Sequence, residues 1–118
     1  MSKIAVITGG TSGIGLATAK ELLAHDCRVY EFSRRESGAA EGVTHIRADV
    51  TREDEVRAAV AEVMAREGRI DILINNAGFG ISGAIEFTPA AEARHQFDVN
   101  FFGMVNMNLA VLPIMRQQ

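Results

Sequence analysis

The residues with the clearest chemical potential lie near the start of the chain: Thr8-Gly9-Gly10-Thr11-Ser12-Gly13-Ile14-Gly15, set between the apolar run Ile4-Ala5-Val6-Ile7 and a helical pattern. Such a stretch can hold an anion. Lacking a Cβ, Gly9 and Gly13 permit a tight turn whose backbone comes close to a ligand, and Gly15 lets the first helical turn press on the strand before it. Unpaired N–H groups at the helix N-terminus then face the bound group, and the helix dipole favours negative charge there. The spacing points to a pyrophosphate cradle, with an ordinary strand-to-helix turn as the plain alternative.

Three later segments follow in order: Asp49-Val50, Asn75-Asn76-Ala77-Gly78, and Asn100 within Val99-Asn100-Phe101-Phe102-Gly103. With Gly9, Gly13 and Gly15 they resemble the classical short-chain dehydrogenase/reductase family. The resemblance implies an α/β fold: a Rossmann-type doubly wound parallel sheet, here truncated to strand order 3-2-1-4, with helices on both faces. It implies hydride transfer between a nicotinamide and a carbonyl or alcohol. Cofactor contacts would come from Thr8, Gly9, Thr11, Ser12, Gly13, Ile14, Gly15, Ser33, Arg34, Arg35, Asp49, Val50, Asn75, Ala77 and Gly78. Asp49 would hydrogen-bond the adenine, and Asn76 would tie the central sheet together. Asn100 would support a proton relay through bound water. Residues 79–87 would border the substrate pocket, and the last helix would form a dimer contact.

Cofactor choice rests on the end of the second strand. In dinucleotide sites an acidic residue there accepts hydrogen bonds from the ribose hydroxyls, whereas arginine accommodates a 2′-phosphate. The family's acidic position maps to Ser33, and Arg34 and Arg35 follow it. Two guanidiniums beside a missing carboxylate favour NADP(H) over NAD(H). Glu31 and Glu36 are the carboxylates that could still reach a ribose.

The positioning elements follow from periodicity. Residues 3–7, 28–33, 43–48 and 70–74 read as buried parallel strands. Ser12 is placed to cap a first helix whose apolar face carries Ile14, Ala17, Leu22 and Leu23. Thr51 and Asp54 resemble a capping box for a second helix, with Val56, Val60, Val63 and Met64 facing the sheet and Gly68 ending it. Thr88 as cap and Pro89 at the first position open a short helix. A last helix starts near Asp98 or Val99 and runs to Pro113. His25, His45 and His95 show no pairing with Cys or nearby carboxylates, so they read as surface or helix-end residues and no metal is expected.

Composition sets the outer bounds. The chain has 118 residues, 47% of them hydrophobic, and a net charge of −3, which fits one domain with a full core and gives no basic field for nucleic acid. No apolar span reaches membrane length, since Asn100, Asn106 and Asn108 interrupt the nearest one, so no membrane partner is expected. Residues 1–3 leave no room for a leader before the first strand, and Cys27 is the sole cysteine, so a reduced, cytoplasmic setting is expected. A small-molecule substrate is the expected partner.

Members of the resembled family continue with a catalytic Ser and a Tyr-x-x-x-Lys helix, which these residues lack. The one tyrosine, Tyr30, has Arg34 four residues on. Hydride transfer to a carbonyl needs a proton donor near the developing alkoxide, and Asn100 cannot serve alone. The chain reads as the N-terminal, cofactor-binding portion of an oxidoreductase, inactive by itself. A non-catalytic NADP(H)-binding or dimerisation module, or a structural fragment, are the alternatives. An order 3-2-1-4 leaves residues 70–74 as an open apolar edge, so self-association through that edge or the last helix is expected.

Overall fold

The computed structural model describes residues 2–118. Strand β1 (Lys3–Thr8) lies at the centre of a four-stranded parallel sheet, between β2 (Cys27–Ser33) and β4 (Ile72–Ile74), with β3 (Thr44–Arg47) outside β2. The order is 3-2-1-4, as the family resemblance implies. Pleating splits β1 between two cores, because alternate side chains point to opposite faces. Ala5 and Ile7 pack with Ala19 of helix α1 (Gly13–Ala24), while Ile4 and Val6 join Val56, Val60 and Val63 of helix α2 (Glu53–Glu67). All four β1 side chains are at most 4% exposed; burial of each larger one contributes about 1.5–3 kcal/mol.

The ends of β1 are fixed by polar groups. At its start, the Ile4 N–H donates to Asp71 Oδ2 (2.9 Å) and the Asp71 N–H returns to the Ile4 carbonyl (2.8 Å). The Arg69 guanidinium beside Asp71, with the Ile4 amide, holds this carboxyl below the usual carboxylate range. At its far end, the Thr8 hydroxyl accepts from the N–H groups of both Asn76 (3.0 Å) and Ala77 (2.9 Å), so the chain leaving β4 is bound to the chain leaving β1.

Several local expectations are corrected. Ser12 occupies the cap position of α1 with no side-chain bond, and Ile14 and Ala17 are exposed, so Gly15 and Ala19 form the packed stripe with the half-buried Leu22 and Leu23. The proposed box at Thr51 and Asp54 does not form. Thr51 instead gives its N–H and Oγ1 to Asp49 Oδ1 (2.9 and 2.7 Å), and α2 begins two residues later. Thr88 turns back to the Ala84 carbonyl (3.2 Å), leaving Pro89 at the cap position of helix α3 (Ala90–Phe97). The fourth strand is shorter than read, since Asp71 is engaged with Ile4 and Ile70 with Gln118.

The largest correction concerns the last helix. A π turn at Asp98–Phe102 joins α3 to helix α4 (Gly103–Gln117), and Pro113 lies inside α4 rather than ending it. The missing Pro113 N–H leaves the Leu109 carbonyl without its helical donor, and Leu109 is 62% exposed. The continuous helix Ala90–Gln117 has 28 residues and an 18-residue window of mean hydropathy 1.3, of which 17% is buried. It is therefore long and apolar enough to cross a membrane by length and composition, which overturns both the reading of two shorter helices and the expectation that no apolar span reaches membrane length. Its Met107 and Val111 enter the core, and Asn106 Nδ2 donates to the Val50 carbonyl (2.9 Å).

Candidate dinucleotide site

The carboxyl ends of the four strands open into a cleft of about 710 Å³. This is where open α/β sheets bind ligands. Its floor and walls come from Gly9, Thr11, Ser12, Gly13 and Ile14 of the glycine loop, Ser33, Arg34 and Arg35 after β2, Asp49 and Val50 after β3, and Ala77 and Gly78 after β4.

The glycine loop owes its shape to close backbone approach. Gly9 has φ +68° and Gly13 φ +55°, conformations that cost a side chain strain. A Cβ at Gly15 would overlap the Gly9 carbonyl and Asn76 Nδ2. Asn76 Nδ2 donates to that carbonyl (2.9 Å), and the Gly9 N–H donates to the Phe32 carbonyl (2.9 Å), so the loop is tied to β4 on one side and β2 on the other.

Three expected contact residues do not face the cleft. Thr8 is buried beneath it, its hydroxyl committed to Asn76 and Ala77. Asn75 turns away and donates to Asn108 Oδ1 (3.0 Å) on α4. Gly15 serves by packing rather than by lining. Asn100 stands behind the wall: its Oδ1 accepts from the Phe79 N–H (2.9 Å) and its Nδ2 donates to the Phe79 carbonyl (2.8 Å), pinning the chain after Gly78. Conversely, Asn76, Phe32, Ala48, Phe79 and Val99 line the cleft without having been read as contacts.

Electrostatically the cleft is built for an anion. Among its lining residues the charged ones are Arg34, Arg35 and Asp49. Burial would raise the Asp49 carboxyl, but the Thr51 hydroxyl and amide, with Arg34 and Arg52, outweigh it and hold it below the usual value. Ser33 Oγ is buried without a partner among the described residues. Glu31 and Glu36 are both withdrawn from the site: Glu31 is fully buried and bonded to Gly10 and His45, and Glu36 is exposed beside Arg47 (3.3 Å). Tyr30 donates to Glu67 Oε2 (2.7 Å) and does not reach the cleft.

Comparison with known proteins agrees with this architecture. A family model described as short chain dehydrogenase matches residues 3–118; the chain belongs to that family of NAD(P)-dependent oxidoreductases. It is 45% identical over 115 residues to a 3-ketodihydrosphingosine reductase of Bacteroides thetaiotaomicron, covering 98% of this chain and 43% of the relative. The ligand-free aldohexose dehydrogenase of Thermoplasma acidophilum superposes with a TM-score of 0.93 at 33% identity, over 99% of this chain and 46% of that one. The chain thus spans less than half the length of either. Two further neighbours carry cofactor: ElxO with NADP bound (TM-score 0.89, 29% identity, 99% of this chain, 52% of that one) and an NADH-dependent reductase complexed with NAD (0.86, 29%, 98% and 53%).

Proposed function

We propose that this chain is the cofactor-binding portion of an NADP(H)-dependent short-chain oxidoreductase. The observation that carries the cofactor choice is the wall after β2. Ser33 stands where a ribose-binding carboxylate would be, Arg34 and Arg35 line the cleft, and both nearby glutamates are engaged elsewhere. The residues fit the dinucleotide: the glycine loop would take the pyrophosphate, Asp49 the adenine side, and the two guanidiniums the 2′-phosphate. When bound, the nicotinamide supplies or accepts the hydride. Asn100 braces the Phe79 backbone, and on this reading it supports a proton relay from that position.

The substrate proposed is a ketone carried on an apolar chain. Support comes from the 45%-identical 3-ketodihydrosphingosine reductase and from Phe79, Ile85 and Phe87, which the loop after β4 leaves exposed. On this reading the Ser and Tyr-x-x-x-Lys groups lie in sequence beyond these 118 residues, in a reducing cytoplasm. Self-association through the free edge of β4 or the exposed Leu109 and Leu112 of α4 is part of the proposal; sedimentation showing a monomer at high concentration would contradict it.

The test is to express the full reading frame and follow NADPH absorbance with a long-chain 3-ketone. Ketone-dependent oxidation of NADPH, absent from the 118-residue chain alone, is the expected result. NADPH binding without turnover on any ketone or alcohol would instead favour a binding module.

A further inference from the structure

The charged residue hardest to place in this fold is Glu31. It lies in the middle of β2, flanked by Tyr30 and Phe32, and is 0% exposed. Carboxylates are almost never fully buried unless paired. Its Oε1 accepts from the Gly10 N–H (3.1 Å) in the glycine loop, and its Oε2 lies 2.5 Å from His45 Nδ1 on β3. The other ring nitrogen, His45 Nε2, is 2.6 Å from the Arg35 carbonyl. One chain of contacts thus runs from the pyrophosphate loop to the arginine loop.

The proton count of this chain is fixed by chemistry. A carbonyl only accepts, so Nε2 carries a hydrogen. The contact between Nδ1 and Oε2 requires a second proton between them, whichever atom holds it. Imidazole and carboxylate together therefore hold two protons, one more than a neutral histidine beside an ionised glutamate. Loss of the extra proton sets a lone pair against a lone pair either at Oε2 or at the Arg35 carbonyl.

Two further observations point the same way. A Cβ on Gly10 would lie 2.5 Å from Glu31 Cγ, and Gly10 does not line the cleft, so this glycine makes room for the carboxylate rather than for a ligand. Arg47, two residues beyond His45, donates from Nε to the Arg34 carbonyl (3.1 Å). Strand β3 thus grips consecutive carbonyls of the arginine loop. The groups that touch the His45 ring are the Glu31 carboxylate from β2 and the Arg35 carbonyl from the loop after it; the charged residues around them are Arg34, Arg35, Glu36 and Glu41 of that loop and Arg47 of its own strand. Helix α1 turns apolar Ala19, Leu22 and Leu23 to this sheet face, and its Lys20 and Glu21 are exposed.

We propose that Glu31 and His45 form a proton-dependent strap between the glycine loop and the Arg34–Arg35 loop, making them positioning residues for the 2′-phosphate. This rests on the NADP(H) reading above. The strap is intact at low pH and opens as pH rises, because the strapped form holds the extra proton.

The variant Glu31→Gln separates the roles. Glutamine can accept from Gly10 with its oxygen and donate from its amide to Nδ1 of a neutral imidazole, which keeps its Nε2–H for Arg35. All three bonds survive without the extra proton. NADPH and NADH affinities of the full reading-frame product, wild type, E31Q and H45A, are measured by fluorescence titration from about pH 6 to about pH 9, spanning the histidine range. The phosphate's own titration is common to all three proteins and cancels in their comparison.

Wild-type NADPH affinity is expected to fall about 10-fold more than that of E31Q across this range, and H45A to lose about 10-fold for NADPH at the low end with NADH nearly unchanged. Identical pH profiles for wild type and E31Q, or equal weakening of both cofactors in H45A, would overturn the strap. Should one variant unfold, the other decides. Equal wild-type affinity for NADH and NADPH would refute the cofactor reading instead. The strap itself is then judged by denaturant unfolding of wild type and E31Q over the same pH range, which needs no 2′-phosphate: a loss of stability with rising pH in wild type that E31Q lacks supports it, and matching profiles overturn it.

Discussion

Replacing both Arg34 and Arg35 by alanine is expected to raise the NADPH dissociation constant about 100-fold or more, while NADH moves by no more than about 3-fold. Arg34 and Arg35 both line the cleft, and a hydrogen bond to a charged group contributes about 1.5–3 kcal/mol. Two such losses multiply. The glycine loop, which serves the pyrophosphate of either cofactor, is tied to Phe32, Asn76 and Glu31 by bonds that do not involve the arginine side chains, so NADH serves as an internal control. Calorimetric titration of both cofactors against wild type and the double variant measures this. Parallel losses for NADPH and NADH would mean that the arginines merely shape the loop.

Gly15→Ala is expected to abolish measurable cofactor binding and to lower stability by about 3 kcal/mol, near the upper range for overpacking. Its Cβ would occupy the space of the Gly9 carbonyl and Asn76 Nδ2, and neither can retreat without breaking their mutual bond. Gly13→Ala provides the contrast. Nothing lies within 4 Å of a Cβ there, so only the φ of +55° opposes it, a cost of about 1–2 kcal/mol. Denaturant unfolding with NADPH titration separates the two. A Gly15→Ala chain that still bound NADPH would show that α1 can shift on the sheet at little cost.

The strands, the glycine turn and the charge of the cleft wall were legible because they depend on local signals, whereas the strand order came from the family resemblance. An apolar β-branched run ending in glycines dictates a buried strand and a turn, and Ser33-Arg34-Arg35 announces its charge without any knowledge of packing. What was hidden depends on partners distant in sequence. Thr8 reads as a ligand contact, but 68 and 69 residues on, Asn76 and Ala77 claim its hydroxyl. Asn75 reads likewise, and Asn108 takes its side chain. His45 reads as a surface residue because no metal-ligand spacing of Cys or carboxylates surrounds it and its partner lies 14 residues back; parallel pairing places it opposite Glu31. One signal was available, a glutamate inside an otherwise apolar strand. The long helix was missed because nothing in the sequence announces the π turn at Asp98–Phe102 that joins its two halves, and because Pro113, which usually ends a helix, here lies within one.

The central claim is that these residues form a site for a 2′-phosphorylated dinucleotide, and the most direct measurement is the affinity of the wild-type protein for NADPH and NADH at matched salt. The account predicts NADPH tighter by about 10-fold or more, with the difference shrinking as salt rises, because the discriminating contacts are charged. Equal affinities, or a preference for NADH, would contradict it and return the β2 wall to an ordinary solvated loop.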